Sequence, residues 1–292
     1  MSAALLDPNV LAGLANLELV ARTVVEGFLT GLHRSVQHGF SVEFADYRAY
    51  SPGDDPRFID WNGYARTERT YIKRHRGETN TSLVLILDAS ASMGFRSGGV
   101  SKFECARFLV AALAFLARRQ HDPFGWIIFD REIRDLRAPS SRVGQLPAWL
   151  ATLESFEPAR RTDIETVLEC AHAAIRRRGL VAVVSDFYHD PELLLERVRP
   201  LAYRGQDLML FHVLDEAERA PSVRRPERLV DVETGESRIV DVDRGYAERV
   251  SEHAARLRAG ALEIGADYVE LDTSAPLDAA LRAYLAFRRR RP

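Results

Sequence analysis

The chain has 292 residues, 46% of them hydrophobic and 28% charged, with 40 basic against 42 acidic side chains and a formal net charge of −2. This composition excludes a disordered tail protein, a collagen-like repeat and a disulfide-stapled mini-domain. Lys occurs only as Lys73 and Lys102, so 38 of the 40 basic residues are Arg. That excess either serves phosphate or carboxylate recognition by guanidinium forks or is compositional.

Residues 1 to about 40 read as helical: Leu11, Leu14, Leu17, Val20, Val24, Phe28 and Leu32 recur every three or four positions after Pro8, and Gly39 ends the pattern. Short β-like runs, Ser41–Phe44 and Tyr71–His75, surround the turn-rich segment Ser51-Pro-Gly-Asp-Asp-Pro56. From Ser82 the character changes. Apolar runs of strand length, Leu83–Leu87, Phe124–Asp130, Leu180–Val184, Leu208–Val213 and Tyr268–Leu271, alternate with helical stretches at about 102–119, 142–155, 163–178, 191–203 and 245–259, and Ile133–Arg137 reads as an edge strand. Buried strands alternating with helices predict an α/β fold with a doubly wound, mostly parallel sheet. The expected division is a small N-terminal α+β extension at 1–80 and the sheet domain at 81–292, with a β-hairpin inserted at about 226–243 around Glu233-Thr-Gly-Glu236. Arg288–Arg291 reads as a solvated tail.

Cys105 and Cys170 lie in Ala-rich stretches without metal-ligand spacing and read as reduced core thiols. Asp7 and Glu18 fall where a signal peptide would be apolar, and the longest apolar run, Phe108–Ala117, has ten residues against the ~20 that span a bilayer. The expectation is a cytoplasmic protein with no direct membrane insertion.

Ligands of an open parallel sheet bind beyond the carboxyl ends of its strands. Asp88-Ala-Ser-Ala-Ser92 follows the first apolar run, Ser185-Asp186 follows the third, and Thr162 with Asp163 precedes a helix. Positions 88, 90 and 92 alternate, so a tight loop turns Asp88, Ser90 and Ser92 toward one point, with Ala89 and Ala91 keeping the rim small. Hydroxyls with few carboxylates suit Mg2+ or Mn2+. The competing role, helix capping, suits Thr162 or Ser101 alone. An ion with only Asp88 and Asp186 nearby retains positive charge and attracts an acidic group from outside.

Asp-x-Ser-x-Ser, a later Thr and a later Asp on such a sheet resemble the metal-ion-dependent adhesion site of von Willebrand factor A domains. Upstream, Gly31-Leu-His-Arg-Ser, Phe40-Ser-Val-Glu-Phe44, Arg48-Ala-Tyr-Ser-Pro-Gly-Asp-Asp-Pro-Arg57, Ile59-Asp-Trp61 and Ala65-Arg66 resemble the signature of the bacterial A-domain-like family known as domain of unknown function 58, over about residues 20 to 290. The resemblance implies a von Willebrand factor A-like fold and Ser90, Ser92 and Thr162 as hydroxyl ligands, with Asp88 and Asp186 nearby directly or through water. It also implies association with a MoxR-type AAA+ ATPase, as adaptor or co-chaperone, with a client protein as further partner. Arg160 and Arg161 stand where the family pattern is commonly a Gly pair; they either strengthen the pull on an acidic partner or shield the ion. Asp54, Asp55, Arg57, Asp60, Trp61 and Arg66 form either internal salt bridges that pin the extension onto the sheet or a partner-docking face.

No G-x-x-x-x-G-K-[ST] loop occurs, so ATP hydrolysis by this chain is not expected. The enzyme alternative is a Mg-dependent phosphotransferase or hydrolase of haloacid-dehalogenase type, but the second acid such an enzyme needs two residues after its nucleophile is Ser90 here. His189 and His212 are the only candidate bases near strand ends, and both read as packing residues. Arg66, Arg69, Lys73, Arg74 and Arg76 lack a stacking platform, so no nucleic-acid partner is expected.

Overall fold

The computed structural model describes residues 6–35, 46–49, 71–74, 82–159, 162–175, 178–219, 226–230, 237–241 and 244–290. Two helices come first, α1 (Pro8–Leu11) and α2 (Leu17–Ser35). The expected single helix is broken because two caps start it twice: the Asp7 carboxylate accepts from the Asn9 amide at 2.9 Å, and the Asn16 side chain accepts from the Leu19 amide at 2.8 Å. An antiparallel pair follows, β1 (Asp46–Ala49) with β2 (Tyr71–Arg74). The expected strand at Ser41–Phe44 and the charged segment carrying Asp54, Asp55, Arg57, Asp60, Trp61 and Arg66 lie outside the described residues.

The chain then runs β3 (Ser82–Asp88), α3 (Lys102–Arg119), β4 (Phe124–Phe129), β5 (Ile133–Ser140), α4 (Gln145–Ser155), α5 (Ile164–Ala174), β6 (Gly179–Ser185), α6 (Pro191–Tyr203), β7 (Asp207–Leu214) and the single turn α7 (Glu216–Arg219). Then come a two-stranded antiparallel hairpin, β8 (Pro226–Val230) with β9 (Ser237–Asp241), and finally α8 (Arg244–Glu263), β10 (Asp267–Asp272) and α9 (Asp278–Arg290). Six strands form one sheet in the order β10-β7-β6-β3-β4-β5, parallel throughout except for the antiparallel edge strand β5. This is the expected α/β class: a doubly wound, mostly parallel sheet.

Strand alternation sorts the core into two layers. Leu83, Leu85 and Leu87 of β3 face α2, α3, α4 and α9, whereas Val84 and Ile86 face α5, α6 and α8. Each face is covered by helices, so β3, β4 and β6 are buried along their whole length and read as continuous apolar runs. Among the described residues, no helix is long and apolar enough to cross a membrane.

Two expectations are corrected. Arg288 is not part of a solvated tail: it lies on α9, whose Leu281, Tyr284 and Phe287 are buried, and its guanidinium pairs with Asp122 at 2.6 Å. Cys170 is exposed on α5, because it falls on the face opposite Val167, Leu168 and Ala171; only Cys105 is a core thiol.

Removing the α9 anchor tests this packing. Leu281→Ala, at a fully buried position, should lower unfolding stability by about 2–5 kcal/mol, whereas Leu262→Ala, at a largely exposed position, should change it by no more than about 0.5 kcal/mol. Urea denaturation of both variants measures the difference; equal losses would contradict the assignment of α9 to the core.

Candidate functional site

The chain runs from β3 across α3 to β4 on one side, then returns to place β6 on the other side of β3. The strand order therefore reverses at β3, and the carboxyl ends of β3 and β6 flank the crevice that such a reversal opens. Asp88 is the last residue of β3, and Asp186 directly follows β6.

Asp88 is fully buried, with both oxygens engaged: Oδ1 accepts from the Ser90 amide at 2.8 Å and Oδ2 from the Ser185 hydroxyl at 2.6 Å. The first bond bends the chain sharply beyond the strand, and a 3-10 turn over Ala91–Gly94 follows, anchored by the buried Met93. That bend brings the Ser90 and Ser92 hydroxyls within 3.1 Å of each other. The loop carrying Thr162 is tied to the same end of the sheet, since the Ala159 amide donates to the Ala89 carbonyl and the Asp163 amide to the Asp130 carbonyl, each at 3.0 Å. Thr162 Oγ1 is buried with no hydrogen-bond partner, a costly state for a hydroxyl. Arg160 and Arg161 lie outside the described residues.

Asp186 is held differently. Its Oδ2 sits 2.8 Å from Lys102 Nζ, and the same ammonium lies 2.8 Å from Glu218 Oε1. Lys102 is the first residue of α3, entered through a capping box in which the Ser101 hydroxyl and the Glu104 carboxylate each accept from the other's amide. That entry turns the lysine inward; its side chain is completely buried, 4.6 Å over the Tyr188 ring. Glu218 also accepts from the Asp215 amide at 2.9 Å. Asp215, fully buried, takes hydrogen bonds from the amide and hydroxyl of Ser97, the Thr273 hydroxyl and the Ala217 amide. Phe187, between Asp186 and Tyr188, is buried at φ 48°, a left-handed conformation unfavourable for an aromatic residue.

Electrostatics follow from this count. Lys102 joins Asp186 to Glu218, Glu218 accepts the Asp215 amide and Asp88 faces the Asp186 charge, so four buried carboxylates lie close together, and Lys102 is the only buried lysine or arginine among the described residues. Burial, reinforced by the nearby Asp186 charge, pushes the Asp88 pKa up to about 7, outweighing the hydrogen bonds from Ser185 and Ser90. Burial disfavours the Lys102 ammonium, but the Asp186 and Glu218 charges more than offset this and raise its pKa.

Asp88, Ser90, Ser92 and Asp186 thus gather at one sheet end, with the Thr162 loop bound beside them. Lys102, Glu218 and Asp215 were not singled out from sequence. The signal for Lys102 is its rarity, one of two lysines among forty basic residues, standing at the mouth of a helix whose buried positions are otherwise apolar. Among the described residues no three His, Cys, Asp or Glu side chains gather as a metal cluster, so any ion here depends on hydroxyls. The donors fit a small hard cation: adjacent hydroxyls, an unsatisfied buried third hydroxyl and surplus buried negative charge. Burial lowers the His212 pKa to about 3, and its Nδ1 is 2.5 Å from the Tyr268 hydroxyl.

A family model described as "Protein of unknown function DUF58" matches residues 46–260. With well over half of its length matched, the chain belongs to that family. It is 28% identical to the uncharacterized protein Rv1480 of Mycobacterium tuberculosis, over 97% of this chain and 91% of that protein, and equally so to Mb1516 of Mycobacterium bovis. Similar solved structures include the conserved hypothetical protein BatB from Bacteroides thetaiotaomicron, 16% identical with a TM-score of 0.47 over 72% of this chain and 99% of that one. Another is the SpRpn10 VWA domain, 12% identical with a TM-score of 0.44 over 69% of this chain and 93% of that one.

The raised Asp88 pKa has a definite sign. Without metal, the folded chain holds the Asp88 proton up to about pH 7, against 3.8 for the free group. The native state therefore binds more protons than the unfolded state between these values, and stability falls as pH rises through that window. Asp88→Asn removes this slope. In chelator, urea midpoints at about pH 4 and about pH 8 should show the variant gaining on the wild type by on the order of a few kcal/mol at the higher pH; parallel profiles would contradict the assignment.

Proposed function

We propose that this chain is a non-catalytic, metal-dependent protein-binding adaptor or co-chaperone that works in the cytoplasm with a MoxR-type AAA+ ATPase and engages an acidic side chain of a partner or client. The observation that carries this reading is the unsatisfied, buried Thr162 hydroxyl on a loop tied to the sheet end that carries the paired Ser90 and Ser92 hydroxyls, backed by more buried carboxylates than buried cations. Ser90, Ser92 and Thr162 would hold Mg2+ or Mn2+, with Asp88 and Asp186 behind them. When bound, the ion supplies a Lewis-acidic position for an external carboxylate oxygen. The ATPase partnership rests on the resemblance of the upstream motif, from Arg48 to Arg66, to a family associated with such ATPases.

The residues disfavour catalysis. Both Asp88 oxygens are occupied by donors within the fold, which blunts it as a nucleophile, and position 90 holds a hydroxyl where a haloacid-dehalogenase-type enzyme requires its second acid. His212, neutral and packed between Phe187 and Tyr268, offers no general base.

A pull-down with the cognate AAA+ ATPase as bait tests the proposal. Binding should require Mg2+ or Mn2+, vanish in chelator, and fall at least tenfold in Asp88→Ala and in Ser90→Ala while both variants retain cooperative unfolding. Binding that persists unchanged in chelator would refute it, as would phosphoester turnover lost specifically in Asp88→Asn.

A further inference from the structure

The ion-site reading above leaves a buried lysine unexplained. Burying an ammonium and two carboxylates is expensive, and similarly sized apolar residues would commonly serve stability as well. Yet Lys102 is fully buried and bonded to Asp186 on one side and to Glu218 on the other, each at 2.8 Å. Its neighbours fix it there: the Lys102 amide donates to the Phe95 carbonyl at 3.0 Å, and the Tyr188 ring lies 4.6 Å from Nζ.

Two consequences follow for any cation held by Ser90, Ser92 and Thr162. One oxygen of Asp186 is committed to Lys102, and the other accepts the Tyr188 amide at 3.4 Å, so Asp186 does not turn toward the hydroxyls without giving up its ammonium partner. Lys102 also brings its own positive charge to a carboxylate at the site, and Glu218, anchored through the Asp215 amide, neutralises part of that charge from the far side.

We propose that Lys102 is a positioning residue that withholds Asp186 from the ion, with Glu218 setting how firmly, so that the bound cation stays short of anionic ligands and completes its shell with a carboxylate from outside. This rests on the ion-site reading, and it makes ion affinity a quantity tuned by residues that do not touch the ion. Removing the lysine frees a carboxylate for the metal and tightens binding. Removing Glu218 leaves the ammonium less compensated and weakens it.

The test is a Mn2+ titration of the full chain at neutral pH, following free Mn2+ by electron paramagnetic resonance. Glu218→Gln should weaken Mn2+ binding by about threefold to tenfold, by the loss of a buried opposing charge. The double variant Lys102→Met with Glu218→Gln, which removes one charge of each sign and so spares the fold, should bind about tenfold more tightly than wild type. Adding Asp186→Asn to that double variant should abolish the gain. A purely structural Lys102 would lower the urea midpoint and leave Mn2+ affinity of the folded protein unmoved. Unchanged or weaker binding by the double variant, or unchanged or tighter binding by Glu218→Gln alone, overturns the proposal while the ion site stands. Wild type that binds no more Mn2+ than Asp88→Ala overturns the ion site, and this proposal with it.

Discussion

Among the described residues, five carboxylates lie buried at one end of this sheet, and the fold meets their cost in different ways: Asp130, directly after β4, pairs with Arg134. Asp215 is surrounded by neutral donors from Ser97, Ala217 and Thr273. Asp186 and Glu218 share the Lys102 ammonium. Asp88 receives hydrogen bonds from Ser90 and Ser185 but no cation, and burial together with the Asp186 charge raises its pKa. A buried charge left without full compensation costs several kcal/mol by order of magnitude, and Asp88 is the one of these carboxylates that the fold pairs with no cation and leaves beside another charge.

The same network organises the surrounding chain. Bonds from Ser97 to Asp215 tie the loop after the 3-10 turn to the end of β7, and Thr273 ties in the end of β10. Lys102 ties the start of α3 to the end of β6 and to α7. Four strand ends and their following loops are thereby held together at the point where strand order reverses. Neutral hydrogen bonds and one ammonium fix them, the Ser90 and Ser92 hydroxyls bond to each other, and the buried Thr162 hydroxyl has no partner. A rigid backing and an unsatisfied hydroxyl at Thr162 are features that the proposed ion site would use.

Much of this was legible in the sequence. Continuous apolar runs identified the buried strands because both sheet faces are covered by helices, and alternation of Asp88, Ser90 and Ser92 placed three oxygen donors together because the strand ends there. Helix α9 was missed, since Ala and Arg dominate it and its burial rests on Leu281, Tyr284 and Phe287 spaced through a basic stretch. Arg288 looked solvated for the same reason, its partner Asp122 lying far away in sequence. The role of Lys102 was illegible because its partners, Asp186 and Glu218, are 84 and 116 residues distant, and only the strand order brings them to it. The arginine excess carries less information than the one buried lysine that stands among it, Lys102.

Anomalous diffraction from crystals grown with Mn2+ tests the central claim most directly. The account predicts a single anomalous peak bounded by the Ser90, Ser92 and Thr162 hydroxyls, with Asp186 still bonded to Lys102 and an outward-facing coordination position filled by water or a foreign carboxylate. Absence of a peak at these hydroxyls, or a peak with Asp186 turned away from Lys102 onto the metal, would contradict it.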